Sequence, residues 1–228
     1  MSSPVGHSIA GWAVQRAFGK DTGQSGRTLG ALLLFIVGAN APDLDFIPGL
    51  LLGDPNRFHH GISHSLGFML LLACVAGGLG GWRLVGSFSR FIGVFCALYG
   101  SHLILDYLTA DGRAPFGIPI FWPLSQQSFG VAWPIFSGIR HEVPGADVGA
   151  FLRSSFSLYN AGQALVEICV LAPLALAAGW TRRRLRRSKD QGEVTGVAHR
   201  PGGALGLLGE SGVRARLGPK RRAPGGTV

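Results

Sequence analysis

Charge is what this sequence has least of. Only 14% of its 228 residues are Asp, Glu, Lys or Arg, and the mean hydropathy is +0.31. A soluble domain usually carries about 25% charged residues, so the shortage fits a chain whose solvent is partly lipid. Cysteine is scarce as well. Cys74, Cys96 and Cys169 are odd in number, lie inside apolar runs and form no CxxC pair. That excludes a disulfide framework and a thiolate metal site, and leaves them as small apolar core residues. The start of the chain lacks the basic residues and long apolar run of a secretion signal. Membrane insertion therefore falls to internal apolar segments. No internal repeat is present.

What is abundant is apolar surface, at 47% of residues, and glycine, at 36 residues. Small residues let membrane helices approach closely, so the glycine content does not imply disorder. The net charge of +9 is confined to one end. Residues 181–228 hold 12 of the 21 basic and 3 of the 12 acidic residues, while the 9 basic and 9 acidic residues before them cancel. A nucleic-acid binder spreads basic side chains over a folded face. An excess in a terminal segment reads instead as a topology signal, and no specific nucleic-acid binding is expected.

Three apolar stretches, 62–81, 91–108 and 161–180, are long enough to span a bilayer or nearly so, since a span takes about 20 residues. Two shorter helical stretches, 6–18 and 28–40, precede them, and Pro42 and Pro48 end the second. Residues 109–160 are rich in Pro, Gly and aromatics, and Trp122 and Trp133 suit a segment at headgroup level. From Thr181 onward, RRRLRR and a Gly/Pro/Arg-rich sequence read as a disordered tail. The expected fold is all-α: a polytopic membrane helical bundle over 1–180 with short N-terminal helices, followed by a basic tail over 181–228.

Ionisable groups inside membrane segments are costly and tend to mark function. Here they are His and Asp. His7 opens the first short stretch, and Asp43 and Asp45 follow the second, in NAPDLDFIPG. His59, His60 and His64 open the third, in FHHGISHSL, and His102 and Asp106 lie near the end of the fourth, in YGSHLILDYL. His102 and Asp106 are four apart, as are His60 and His64, so each pair shares a helix face. Asp43 and Asp45 follow a proline, which favours an extended turn with both carboxylates aimed at one site. If successive helices run antiparallel, all of these positions meet at one membrane face. Imidazoles and carboxylates together suit Zn²⁺, Mn²⁺ or Fe²⁺. Each piece alone has an ordinary role: His102 as an interhelical hydrogen-bonding group, PDLD as a Pro-Asp turn, HHGISHS as a helix start capped by Ser63 or Ser65. The joint pattern is what points to a site. His141 and His199 fall outside it.

The order of GH, PDLD, HHGISHSL and SHLILDYLTADGRAPFGIPIFWP, over roughly residues 5–125, resembles the YdjM-type bacterial inner-membrane metal-dependent hydrolases. Aligned by motif, the two family histidines of the third segment fall on His59 and His64, and His60 stands where the family usually has Arg. The resemblance implies membrane location, a bound metal and hydrolase activity. The hypothesis is then metal-assisted hydrolysis of an amphiphilic phosphoester or ester. One or two divalent ions, Zn²⁺ first and Mn²⁺ or Fe²⁺ as alternatives, would be held by His7, Asp43, His59, His64, His102 and Asp106 and would activate a water. Asp45, and Asp43 beside it, are the catalytic candidates, Asp45 as general base or as a carboxylate orienting a ligand imidazole. The rivals are a metal or proton transporter using the same side chains, and a non-catalytic protein whose basic tail binds lipid or a partner. The expected location is the bacterial inner membrane, multi-pass, with membrane lipid as neighbour, a small amphiphile as substrate and a cytoplasmic C-terminus.

Overall fold

The structure, a computed structural model, describes residues 1–18, 35–112, 114–141 and 148–198. These residues are helical, with no strand among them and only two isolated bridges, Thr109 with Phe136 and Ile118 with Phe129. Helix α1 covers Pro4–Phe18. Proline at its first position costs nothing, because that N–H has no helical partner. Ser3 caps it by accepting from the Gly6 N–H at 3.1 Å. Of the expected second stretch, residues 35–39 are helical and residues 28–34 lie outside the described residues. Asn40 ties its end to α1, donating through Nδ2 to the Ile36 carbonyl at 2.8 Å and to Ser8 Oγ at 3.2 Å.

The PDLD turn differs from the sequence expectation. Residues Ala41–Asp45 form a 3₁₀ helix with Pro42 in its first turn, not an extended turn, and α2 (Phe46–Leu51) continues from it. Proline restricts the residue before it, but its own fixed φ suits a helical start. The third apolar stretch also differs. It divides into a 3₁₀ turn, Ile62–His64, and α3, Leu66–Gly78. Ser65 breaks the helix between them and caps α3 by accepting from the Phe68 N–H at 3.1 Å. At 1.5 Å per residue α3 is about 20 Å long, short of a full span.

Among the described residues, two helices are long and apolar enough to cross a membrane. One is α4, Phe88–Tyr107. The other lies in the last helix, which follows a short α5 (Val148–Ser155) and is labelled α6 (Leu158–Ala198). Its spanning part is Leu158–Ser188. Ile104, Leu165, Leu174 and Leu176 stand exposed on the two helices, an arrangement water opposes and lipid does not. Cys74 and Cys169 are exposed too, so they are not the core residues expected; Cys96 is half-buried. The basic segment corrects a second expectation: α6 runs through RRRLRR to Ala198. Arg, Lys, Leu and Glu are good helix formers, and a helix already nucleated extends through them. The chain to Ser188 forms one compact unit and the chain from Lys189 another. Residues 199–228, including His199, lie outside the described residues.

The core that positions the site is built on α4. Tyr99, Leu103, Met69 and Ile118 pack together, and Leu98 packs with Phe35 and Ala39. The Tyr99 hydroxyl donates to the Ser63 carbonyl, fixing the His64 turn against α4. Residues 109–141 run as irregular chain back over the start of α3, where Leu66 N–H donates to the Ile120 carbonyl at 2.9 Å.

Candidate metal centre

Four elements deliver side chains to one buried point. The first turn of α1 brings His7, the 3₁₀ turn brings Asp43 and Asp45, the turn before α3 brings His64, and α4 brings His102 and Asp106. His7, His64 and His102 are fully buried and Asp106 nearly so.

The four closest donors are His64 Nε2, His102 Nε2, Asp43 Oδ1 and Asp106 Oδ2. His64 Nε2 lies 3.2 Å from His102 Nε2, 3.5 Å from Asp43 Oδ1 and 3.4 Å from Asp106 Oδ2. His102 Nε2 lies 3.4 Å from Asp43 Oδ1 and 3.1 Å from Asp106 Oδ2. A regular tetrahedron of ligands about 2.0–2.1 Å from a zinc ion has edges of about 3.3–3.4 Å. The observed separations match that figure.

The outer nitrogens settle which way the imidazoles present their lone pairs. His102 Nδ1 faces the Ala39 carbonyl at 2.8 Å, which can only accept, so Nδ1 carries the proton. His64 Nδ1 faces Ser63 Oγ at 3.0 Å and Asp45 Oδ2 at 3.2 Å. The Ser63 hydroxyl donates to Asp45 Oδ2 at 2.6 Å, so His64 Nδ1 must be the donor here. Both Nε2 atoms then aim lone pairs at each other and at two carboxylate oxygens. Such a convergence is repulsive unless a proton or a metal cation occupies it. Asp43 Oδ1 and Oδ2, Asp106 Oδ2 and His7 Nε2 are all buried without a hydrogen-bond partner, a cost that ligation removes. The residues therefore fit a divalent metal.

The other predicted residues surround this set. His7 stacks on His102, with ring centroids 3.6 Å apart, and its Nε2 lies 3.5 Å from Asp106 Oδ1 and 4.0 Å from Asp43 Oδ2. His7 thus addresses the opposite oxygens of the same two carboxylates. His59 turns Nδ1 to Asp45 Oδ1 at 3.0 Å and Nε2 to Met1 Sδ at 2.9 Å, and stands beside the four rather than among them. Asp45 holds two imidazoles by their Nδ1 atoms, the arrangement that orients ligand histidines. His60 pairs through Nδ1 with Asp111 Oδ2 at 3.0 Å, while its Nε2 stays 3.9 Å from Asp106 Oδ2. Its backbone is left-handed, φ 59°, a strained state for a side-chain-bearing residue.

Electrostatics follow from burial and charge. Burial alone pushes the Asp43 carboxyl up, but the surrounding imidazoles, His102 first, outweigh it and hold the group well below the usual carboxylate range. Asp45 is lowered likewise by His59 and His64 against its own burial. Burial pushes His59 down to about 4 despite Asp45. His64 goes the other way: desolvation lowers it, yet bonds to Asp106, Asp43 and Asp45 raise it well above the ordinary imidazole value.

Four contributors were not expected at the site from the sequence. Ser63 joins Asp45 to His64. Asp111 anchors His60 and accepts from the Gly117 N–H at 2.8 Å; it sits inside the segment that carries the family resemblance. His141, set aside as isolated, is buried, with its ring 5.5 Å from that of His59. Glu167, buried on α6, accepts from Ser2 Oγ at 2.8 Å and from the Ser3 N–H at 2.9 Å. Ser2 N–H in turn donates to Asp106 Oδ1 at 2.9 Å. A lone acid inside an apolar run was the signal for Glu167.

A family model described as YdjM inner membrane protein matches residues 1–185. No curated protein and no solved structure matches the chain.

Proposed function

The chain belongs to the YdjM inner membrane protein family, and from that premise we propose that it is a multi-pass, membrane-bound, metal-dependent hydrolase of an amphiphilic ester or phosphoester. The observation that carries this reading is the near-tetrahedral meeting of His64, His102, Asp43 and Asp106. Those four would hold an ion, with Zn²⁺ the best match to the donor set and spacing. His7, with the remaining oxygens of Asp43 and Asp106, would hold a second ion. When bound, a divalent ion supplies Lewis acidity and lowers the pKa of a water.

The chain's own residues divide the remaining work. Asp45 has both oxygens committed to His59, His64 and Ser63, so it orients imidazoles. Asp43 lines the adjoining cavity and has no hydrogen bond at either oxygen; with Oδ1 on the first ion, its Oδ2 is left to accept a proton from water when only that first position is filled. Transport is the lesser reading, because transporter sites usually lie near the midplane on broken helices, whereas His7 and Asp106 sit at helix ends.

The test is a screen of purified, metal-loaded protein against phosphoesters and carboxylic esters. Turnover should disappear in Asp43→Ala and His102→Ala while both variants remain folded in detergent. Metal flux across proteoliposomes, with no tested ester cleaved, would reverse the ranking.

A further inference from the structure

A cavity of about 630 Å³ opens beside the cluster, and Asp43 and His141 are in its wall. The volume lies within the range typical of small-molecule sites, about 300–1,000 Å³. Away from Asp43 the lining turns apolar: Ile139, Phe151, Leu152, Phe156, Ala161 and Ala164. The wall is held in place by Asn160, which is buried. Its Oδ1 accepts from the Arg140 N–H at 2.7 Å, and its Nδ2 donates to the carbonyls of Arg140, Ser154 and Ser155 at 2.8–3.0 Å. One side chain thus joins the segment bearing His141, the end of α5 and the start of α6. The cavity is a fixed feature of the fold.

We infer that this cavity takes one long hydrocarbon chain of an amphiphile whose polar head lies against Asp43. Asp43 sets the orientation, since it belongs both to the cavity wall and to the metal cluster, while most of the remaining wall is aliphatic and aromatic, with Phe151 packed on His141. A water-soluble substrate gains nothing from that lining, whereas a chain buries apolar area along it. In an inner-membrane protein, lipid chains are also the apolar ligand nearest to hand. That the chain belongs to a substrate rests on the hydrolase reading; its binding here does not.

The test uses the full-length, metal-loaded protein and a palmitoyl lysophosphatidylcholine with a photoreactive diazirine at its chain end. Labelled peptides should fall within residues 151–164. Ala164→Phe and Ala161→Phe, which fill the cavity, should cut that labelling severalfold with metal content unchanged. In the wild type, dodecyl phosphate should suppress labelling and inorganic phosphate should not. Labelling unchanged by either substitution, or displaced equally by inorganic phosphate, would overturn the inference. So would labels confined to the outward face of α6 at Leu174 and Leu176. The two readings separate cleanly. Chain labelling blocked by Ala164→Phe without hydrolysis of any substrate removes the hydrolase and leaves the chain site; hydrolysis with unaltered labelling does the opposite.

Discussion

At the scale of single residues, the site separates side chains that would touch a metal from those that hold them. His64→Ala or Asp106→Ala removes one of the four convergent donors and should strip most bound metal, read by elemental analysis of the purified variants, because ligand loss is rarely compensated. Asp45→Asn removes none of the four. It weakens the hold on His64 and His59, so metal should still bind at saturation but roughly 10–100-fold more weakly. Equal loss in Asp45→Asn and His64→Ala would contradict that division. Protons compete for the same lone pairs. Because the surrounding carboxylates raise the metal-free His64 pKa, its Nε2 is protonated below that value and available above it. Affinity should therefore rise with pH through neutrality, and acidification from about pH 7.5 to about pH 5 should release metal reversibly. Most of this cluster was legible in the sequence. His7, Asp43, His59, His64, His102 and Asp106 are polar residues at the ends of apolar runs, and spacing aligns His102 with Asp106 on α4; His60 and His64, expected to share a helix face, instead precede α3, His60 in a left-handed turn and His64 in a 3₁₀ turn. What spacing cannot give is which ring nitrogen faces inward. That depends on acceptors from elsewhere in the chain, such as the Ala39 carbonyl and Ser63.

At the scale of elements, the N-terminal residues behave as part of the site. Met1, Ser2 and Ser3 are buried, clasped by Glu167 on α6 and joined to Asp106 through Ser2. A methyl group at Gly6 would meet Glu167 Oε2 at 2.4 Å and Ser2 Oγ at 2.7 Å. Gly6→Ala should therefore destabilise the protein by about 1–3 kcal/mol through overpacking. Glu167→Ala should cost a similar 1–3 kcal/mol by leaving buried donors unpaired. Both should also weaken metal binding, because the segment that supports Asp106 loosens. A lower melting temperature with unchanged metal affinity would separate Glu167 from the site. The long helices were readable from hydropathy: 91–108 falls within α4 except for its last residue, and 161–180 falls within α6. The helix start after HHGISHS was readable too, with Ser63 and Ser65 as candidate caps, and the bond from Phe68 N–H shows that Ser65 is the cap; hydropathy did not show that Ile62–His64 forms a separate 3₁₀ turn before it. The N-terminal clasp was hidden for a related reason. It pairs residues 165 positions apart, and no local pattern encodes such a contact.

At the scale of the whole molecule, basic side chains gather at the end of the compact unit away from the metal cluster. Arg182 Nη1 donates to the Arg16 carbonyl at 3.2 Å, and Arg90 Nη2 to the Phe18 carbonyl at 3.4 Å. Two cations thus meet the last carbonyls of α1, where the helix dipole favours positive charge. His7 lies in the first turn of that helix and Arg16 in its last, so about 14 Å of helix axis separates the cluster from the basic end. Helix α6 supports the same polarity: Leu158, at its start, lines the cavity beside Asp43, and RRRLRR comes after its apolar part. Among the described residues the site side carries Arg57, Arg140 and Arg153, and the other side Arg16, Arg83, Arg90 and RRRLRR. Lys and Arg near span ends prefer the cytoplasm. The expected topology has the C-terminal segment in the cytoplasm and the His/Asp site opening to the extracytoplasmic face. Cysteine labelling checks it once Cys74, Cys96 and Cys169 are replaced. Gly112 and Ser188 are both exposed. In intact cells a cysteine at Gly112 should react with a membrane-impermeant reagent, and one at Ser188 should react only after the cells are opened. The reverse pattern would place the site in the cytoplasm and restrict its substrates to amphiphiles reached from the inner leaflet.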